Sequence, residues 1–359
     1  MAIAEIHVAG YRSVRDLRLP LGRLNLITGP NGCGKSNLYR AVWLLHNAAS
    51  GEFARSLADE GGMSSLLWAG PRRKGSSQMV LSVSLDDGFS YELTCGLPEV
   101  DEMPMPFRRD PSIKSEVIHY GRSVIVDRGK SGAALRDQSG ENVVLPMSLV
   151  RSESILTQIS DPRRFPVLSG IKETLLRWRF HHGFRTDADA PMRHPRIGVY
   201  TPALASDGRD LAAALATILE VGDAESLHAA VDEAFGGARL STDVDAENRF
   251  RLRFHAPGLI RPLEATELSD GTIRFLCLLA ALLAPRMPPL LALNEPETSL
   301  HVDVLPALAR LIAKASESSQ LWVVTHSEIL ARTVSHLADT APIALRLSGG
   351  ETRRLDDPF

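Results

Sequence analysis

Leu24-Asn25-Leu26-Ile27-Thr28 runs directly into Gly29-Pro30-Asn31-Gly32-Cys33-Gly34-Lys35-Ser36, and then into Asn37-Leu38-Tyr39-Arg40-Ala41-Val42-Trp43-Leu44-Leu45. The first five residues form a compact apolar run of the kind that makes a buried strand. The last stretch places Leu38, Ala41, Val42, Leu45 and Ala48 at helical spacing, which predicts a helix with one apolar face from Ser36 to Ala49. Between them, Gly29, Gly34, Lys35 and Ser36 satisfy the spacing G-x-x-x-x-G-K-[ST]. Glycines let the backbone fold so that successive N–H groups point into one concavity. The helix that follows adds its first-turn N–H groups and its positive dipole end. Gly29, Pro30, Asn31, Gly32, Cys33, Gly34, Lys35, Ser36 and Asn37 are therefore expected to cradle phosphate groups. Lys35 would reach the outer phosphates and the Ser36 hydroxyl would ligate Mg²⁺.

Outward from this loop, a phosphate-transfer site needs a metal-side residue and a group to position water. Leu290-Leu291-Ala292-Leu293-Asn294-Glu295-Pro296-Glu297 is an apolar strand ending in polar residues. A buried strand of this kind delivers side chains to the sheet edge where α/β proteins bind ligands. Glu295 is the candidate general base for water, and Thr325-His326-Ser327 closes the next apolar strand with an imidazole suited to a γ-phosphate. Glu264 to Thr272 is a polar turn before a helix, and Ser269 and Gly271 make it a second helix start suited to an anion. Taken singly, each of these has an ordinary explanation in capping or strand-end polarity. Their occurrence together in this order is harder to explain that way.

The order of the glycine loop, Leu268-Ser269-Asp270-Gly271-Thr272, Asn294-Glu295-Pro296-Glu297, Ser299-Leu300-His301 and Thr325-His326-Ser327 resembles an ABC-type ATPase. These segments would be its Walker A, signature, Walker B, D-loop and switch-histidine elements. The nearest branch it resembles is the RecF/SMC-like group of AAA/ABC ATPases, and the opening Val8-Ala9-Gly10-Tyr11-Arg12-Ser13 also looks like that group's N-terminal hairpin. The resemblance implies an α/β P-loop NTPase with an ABC/SMC-head-like fold, an antiparallel β-layer and a helical insertion lobe. It implies Mg²⁺ as cofactor and ATP as substrate. ATP would be sandwiched between the loop of one subunit and the Ser269–Gly271 turn of a second, in a head-to-tail homodimer. Asn294 would stand with Ser36 on the metal side, Glu295 would orient water, His326 would contact the γ-phosphate, and Arg12 would lie near the nucleotide. The Q-loop glutamine is either Gln158 or Gln78. Two positions depart from the family pattern. Asp270 stands where a glycine is usual, and Asn294 stands where an aspartate is usual. An amide accepts a hydrogen bond from metal-bound water but lacks a full charge, so weaker metal binding and slow hydrolysis are expected.

The rest of the 359-residue chain is organised around these segments. Residues 1–155 are expected to form a first ATPase lobe, 156–260 a helical insertion lobe, and 261–359 a second ATPase lobe. Residues 2–9 alternate, with Ile6 and Val8 opposite Glu5 and His7. Met79–Leu85 and Phe89–Cys95 make a hairpin about Asp86-Asp87-Gly88, and Val117–Val126 and Asn142–Leu145 are further strands. Residues 51–78 read as loops and 98–111 as an exposed connection. Helices are expected at Ile171–His181, Gly208–Leu219, Ala224–Phe235, after Ser269, and at His301–Ala315, with strands at Arg239–Val244, Arg249–His255 and Leu321–Thr325.

A net charge of −3 excludes a generally basic nucleic-acid coat, so DNA contact would need a local patch. Residues 161–196 carry eight Lys/Arg against four Asp/Glu, with Trp178, Phe180 and Phe184 among them. A DNA-backbone patch is one reading; a solvated charged helix face over a buried aromatic face is the commoner one. Adjacent His181 and His182 do not face one way on a helix, which argues against a metal pair. The three dispersed cysteines and the absence of a signal-peptide pattern point to the cytoplasm. Phe275–Ala284 is too short to span a bilayer and reads as a core helix.

Three functions compete: an ATPase acting with DNA in repair, genome maintenance or defence; a nucleotide switch that recruits an effector protein; and a transporter ATPase subunit. No coiled-coil arm is inserted, and the stretch after His326 is too short for an appended nuclease, so any effector is expected to be another polypeptide.

Overall fold

The computed structural model describes residues 2–71, 78–99, 105–145 and 149–357. Parts of the expected loops at 51–78 and 98–111 therefore lie outside the described residues. Two compact units divide the chain: Met1–Gly22, Gly29–Trp178 and Ile343–Phe359 form one, and Arg23–Thr28 with Arg179–Pro342 the other. This division cuts across the three spans expected from the sequence. Residues 23–28 leave the N-terminal span because Leu24–Thr28 pairs with Gln320–Val324. The middle span is parted at Trp178, and the closing segment 343–359 belongs with the N-terminal unit.

The first unit is built on an antiparallel sheet. Its strands lie in the order Val14–Pro20, Ile3–Tyr11, Gln78–Leu85, Phe89–Gly96, Ser112–Tyr120, Ser123–Gly129, Gly132–Arg136 and Asn142–Leu145. Alternation in the sequence sets which side is buried: Ile6 and Val8, and Met79, Leu81 and Val83, point into the core. The single strand expected at Val117–Val126 is two strands about a turn at Gly121, whose φ of 59° ends the ladder. Residues 51–71, expected as loops, contain the short helices Phe53–Asp59 and Met63–Leu66. The helix Lys35–Ser50 buries Leu38, Ala41, Val42, Leu45 and Ala48, the five positions its periodicity predicts.

Four parallel strands of the second unit lie in the order Arg179–His181, Leu290–Asn294, Gln320–Val324 and Leu24–Thr28. Leu290–Asn294 and Gln320–Val324 are buried on both faces, as continuous apolar runs in a parallel sheet should be. Phe275 to Leu282 of the helix Asp270–Leu282 are buried without interruption, which makes this the core helix expected. No helix of the described residues is long and apolar enough to cross a membrane. Arg239–Val244 and Arg249–His255 pair antiparallel at the expected positions and join Arg196–Ile197 and Leu263–Glu264 in a small second sheet.

Three helices differ from expectation. The helix expected to reach His181 runs from Pro166 to Leu176, and Arg179–His181 is a strand paired with Leu291–Leu293. Parallel pairing to a buried neighbour overrides local helical periodicity there. The next helix starts at Leu211, not Gly208, whose φ of 72° is left-handed. His301–Ala315 is a single turn, Val302–Val304, leading into the helix Leu305–Ser316, with Pro306 in its first turn.

Candidate functional site

The loop Gly29–Ser36 belongs to the first unit. Gly29, Gly32 and Gly34 have φ of 142°, 75° and 101°, conformations that favour glycine. Space adds a second reason at two of them. A Cβ on Gly34 would collide with Thr352 Oγ1, and one on Gly29 with the carbonyl of Leu345. The loop is thus braced by the closing hairpin Ile343–Ser348/Glu351–Arg354. The opening hairpin braces it as well. Ser13 Oγ lies 2.8 Å from Thr352 Oγ1 and accepts from Asn37 Nδ2 at 2.9 Å, while Thr352 N donates to Ser13 O.

Lys35 is buried, and its ammonium curls back to donate to the carbonyls of Gly29 at 2.7 Å and Pro30 at 2.9 Å, with Cys33 Sγ at 3.9 Å. The loop therefore holds a cation over its own concavity at the start of a 16-residue helix, the arrangement a polyphosphate needs. Arg12, next to Ser13, has a φ of 48° and pairs with Glu60 at 2.6 Å; Arg40 takes the other oxygen of Glu60 at 3.0 Å.

In the second unit, Glu295 and His326 follow two neighbouring parallel strands, where the paired ends are Asn294 and Val324. Glu295 N donates to Val324 O at 2.8 Å, and the residue adopts φ 50° immediately after the strand. A non-glycine residue there, with Ser299 at φ 64°, marks a strained turn of the kind functional sites retain. Glu295 Oε1 lies 2.8 Å from His326 Nε2. The carboxylate and imidazole expected to handle water and the γ-phosphate are thus in contact. Glu297 Oε1 accepts from Thr325 Oγ1, His326 N and Ser327 N, which fixes the backbone carrying the imidazole. Arg274 donates to Glu295 O at 3.1 Å; burial lowers its affinity for its proton, and the charges of Glu297 and Glu295 oppose that shift.

Asn294 Oδ1 is buried and has no hydrogen-bond partner. A neutral oxygen acceptor left unsatisfied at the end of a strand fits a cation or its water as partner. The donor set is hard oxygen, which suits Mg²⁺. No group of three or more His, Cys, Asp or Glu residues among the described residues could hold a metal by itself.

Ser269 caps the helix Asp270–Leu282, its hydroxyl accepting from Thr272 N at 3.1 Å. A Cβ on Gly271 would lie 2.6 Å from Ser299 O, so the turn Ser269–Gly271 and the segment after Glu297 pack closely. Ser269, Gly271, Asn294, Glu295 and His326 belong to the second unit, Lys35, Ser36 and Arg12 to the first.

Several sequence candidates fall elsewhere. Gln158 spends its amide on Val150 N, Val150 O and Glu153 O, while Gln78 starts a strand. Trp178, Phe180 and Phe184 are buried, so residues 161–196 do not offer aromatic rings for bases to stack on. His181 is buried, and desolvation lowers its pKa to about 4. Sequence reasoning missed Ser13 and Thr352 as loop braces, Glu297 as the anchor of His326, and Arg193, whose guanidinium meets Asp270. These partners are far apart in sequence and carry no local motif.

A glycine loop between a buried parallel strand and a helix, with a Glu–His pair following the neighbouring strands, defines an ABC/SMC-like P-loop ATPase fold. The chain belongs to the family described as "AAA domain, putative AbiEii toxin, Type IV TA system", which matches residues 24–332. The chromosome partition protein Smc of Koribacter versatilis (strain Ellin345) is 32% identical over 111 residues, 29% of this chain. The chain spans only 8% of that protein's length. Among solved structures, the Smc head bound to the C-winged helix domain of ScpA is similar, with a TM-score of 0.56 and 14% identity, covering 99% of this chain and 98% of that one. A Smc head with an extended coiled coil, bound to the C-terminal domain of ScpA derived from Pyrococcus furiosus, has a TM-score of 0.52 at 14% identity, covering 99% and 96%. At that identity these likenesses establish the fold alone.

Proposed function

We propose that the chain binds ATP with Mg²⁺ through Gly29–Asn37 and hydrolyses it, using Glu295 to orient water and His326 to meet the γ-phosphate. The observation that carries this reading is the 2.8 Å contact between Glu295 Oε1 and His326 Nε2. A carboxylate held against an imidazole whose backbone is fixed by Glu297 is a preorganised acid–base pair. Bound Mg²⁺ would supply positive charge to offset that of the phosphates. Ser36 and Asn294 would be its ligands, Lys35 would exchange the carbonyls of Gly29 and Pro30 for phosphate oxygens, and the loop amides would supply the remaining contacts. Steady-state phosphate release tests the reading. Turnover is expected in the wild type and its loss, by about 10²–10⁴-fold, in Glu295→Gln; equal rates in the two proteins would refute it.

Two copies close head to tail on ATP, each offering its Ser269–Gly271 turn to the other's nucleotide. The capped start of the 13-residue helix Asp270–Leu282 supports this role, as an anion-binding terminus. The assembly works in the cytoplasm on DNA, in repair, genome maintenance or defence, with a separate effector polypeptide. The name of the Smc relative and the family's toxin–antitoxin description support that setting, and the ScpA domains bound to the solved Smc heads support a protein partner. The three unpaired thiols accord with a reducing compartment.

The amide at Asn294 favours a second reading, a nucleotide switch that binds ATP and recruits its effector without turnover. The same phosphate-release assay separates the two: binding without release in the wild type would establish the switch.

A further inference from the structure

Asp270 places a carboxylate beside Ser269, in the turn proposed above to receive a triphosphate, and about two-thirds of its side chain is exposed. Left alone, that charge would repel the ligand. Arg193, from the single turn Pro191–Arg193, meets it: Nη2 donates to Asp270 Oδ1 at 2.6 Å. The rest of the guanidinium is fully engaged. Nη1 donates to Leu268 O at 2.6 Å and Ala265 O at 2.9 Å, and Nε donates to Thr186 O at 2.8 Å. Only 5% of the Arg193 side chain is exposed. One buried, permanently charged fork therefore grips the chain on both sides of Ser269, at Leu268 and Asp270.

We propose that Arg193 is the positioning residue of the Ser269–Gly271 turn, cancelling the charge of Asp270 so that the turn accepts the triphosphate of a nucleotide held by a second copy. This rests on the self-association reading above. It also accounts for how an aspartate is accommodated beside the capping serine: the carboxylate keeps its favourable place in the first turn of a helix while its field toward the ligand is neutralised from behind. The arginine sits in a stretch whose basic character suggested a nucleic-acid surface. Its charge instead pairs with the carboxylate of Asp270.

The test compares ATP-driven self-association, by analytical ultracentrifugation, of the wild type, Arg193→Gln, Arg193→Lys, Asp270→Asn and the double variant Arg193→Gln/Asp270→Asn. Arg193→Gln is expected to weaken association tenfold or more. Arg193→Lys keeps the charge without the fork and should fall between wild type and Arg193→Gln, whereas Asp270→Asn leaves the guanidinium's charge uncompensated and should strengthen association. The double variant should recover most of the loss, because no carboxylate is left to neutralise. A double variant as weak as Arg193→Gln, or an Arg193→Gln protein that associates normally, would overturn the proposal. If the wild type itself ignores ATP, the self-association reading falls separately. The pairing is then judged by thermal unfolding of the same proteins: a smaller loss in the double variant than the sum of the single losses supports it, and simple additivity overturns it.

Discussion

Lys35 is the residue on which the loop turns, because its ammonium already occupies the mouth of the loop by bonding two of its own carbonyls. A triphosphate offers that ammonium stronger, charged acceptors in the same place. The proposed metal side is less complete, since Asn294 would contribute an oxygen without charge. Asn294→Asp is therefore expected to lower the Mg²⁺ concentration giving half-maximal phosphate release by several-fold, read from a metal titration at fixed ATP. An unchanged titration would remove Asn294 from the metal's surroundings. Anchoring of His326 by Glu297 leads to a further expectation. Glu297→Ala releases three donors at once and should reduce turnover at least tenfold while leaving nucleotide affinity within a few-fold of wild type. A parallel fall in affinity would instead mean that the substitution disturbs the fold more widely.

Among the elements, the glycine loop shows how tightly the first unit is fitted. Gly34→Ala puts a side chain into a left-handed conformation and against Thr352 Oγ1, so a loss of roughly 1–3 kcal/mol in stability is expected by urea unfolding. A variant as stable as wild type would show the closing hairpin to yield freely. The short strand Arg179–His181 carries a pH dependence. His181 is held neutral, its pKa lowered from the usual 6.5 to about 4 mainly by burial, while the unfolded chain protonates near 6.5. Stability is thus fully present above about pH 6.5 and is lost as pH falls toward 4, by roughly 3 kcal/mol over that window. His181→Asn should flatten that part of the stability–pH curve, and an unaltered slope would assign the acid sensitivity to another group. The same strand shows what the sequence leaves illegible. Arg239–Val244, Arg249–His255 and Ala224–Phe235 declare themselves by alternation, by turn residues or by a capping aspartate. Arg177-Trp178-Arg179-Phe180 also alternates, but the strand Arg179–His181 is only three residues long and follows directly on the apolar periodicity of the helix Pro166–Leu176, which hides the change. Pairs such as Ser13 with Thr352 and Arg193 with Asp270 are equally hidden, since nothing local records a partner 339 or 77 residues away.

On the scale of the whole molecule, the motif order carried the fold class, whereas the division of the chain did not follow the order of residues. The strand Leu24–Thr28 joins the second unit and the loop that continues it joins the first, so the segment that names the family also links the two. The molecule's net charge of −3 gives DNA no general attraction. If DNA is its target, binding should appear at low salt with ATP, fall steeply as salt is raised, and be weak without nucleotide; filter binding insensitive to ATP would detach DNA from the ATPase cycle. Each of these expectations depends on the chain gripping Mg·ATP through its glycine loop. Isothermal titration of the intact protein with ATP, with and without Mg²⁺, and of its Lys35→Ala variant, tests this most directly. Magnesium-dependent binding in the micromolar range, weakened at least a hundredfold in the variant, is the expected result. Affinity that is absent, or indifferent to both magnesium and Lys35, would contradict the account.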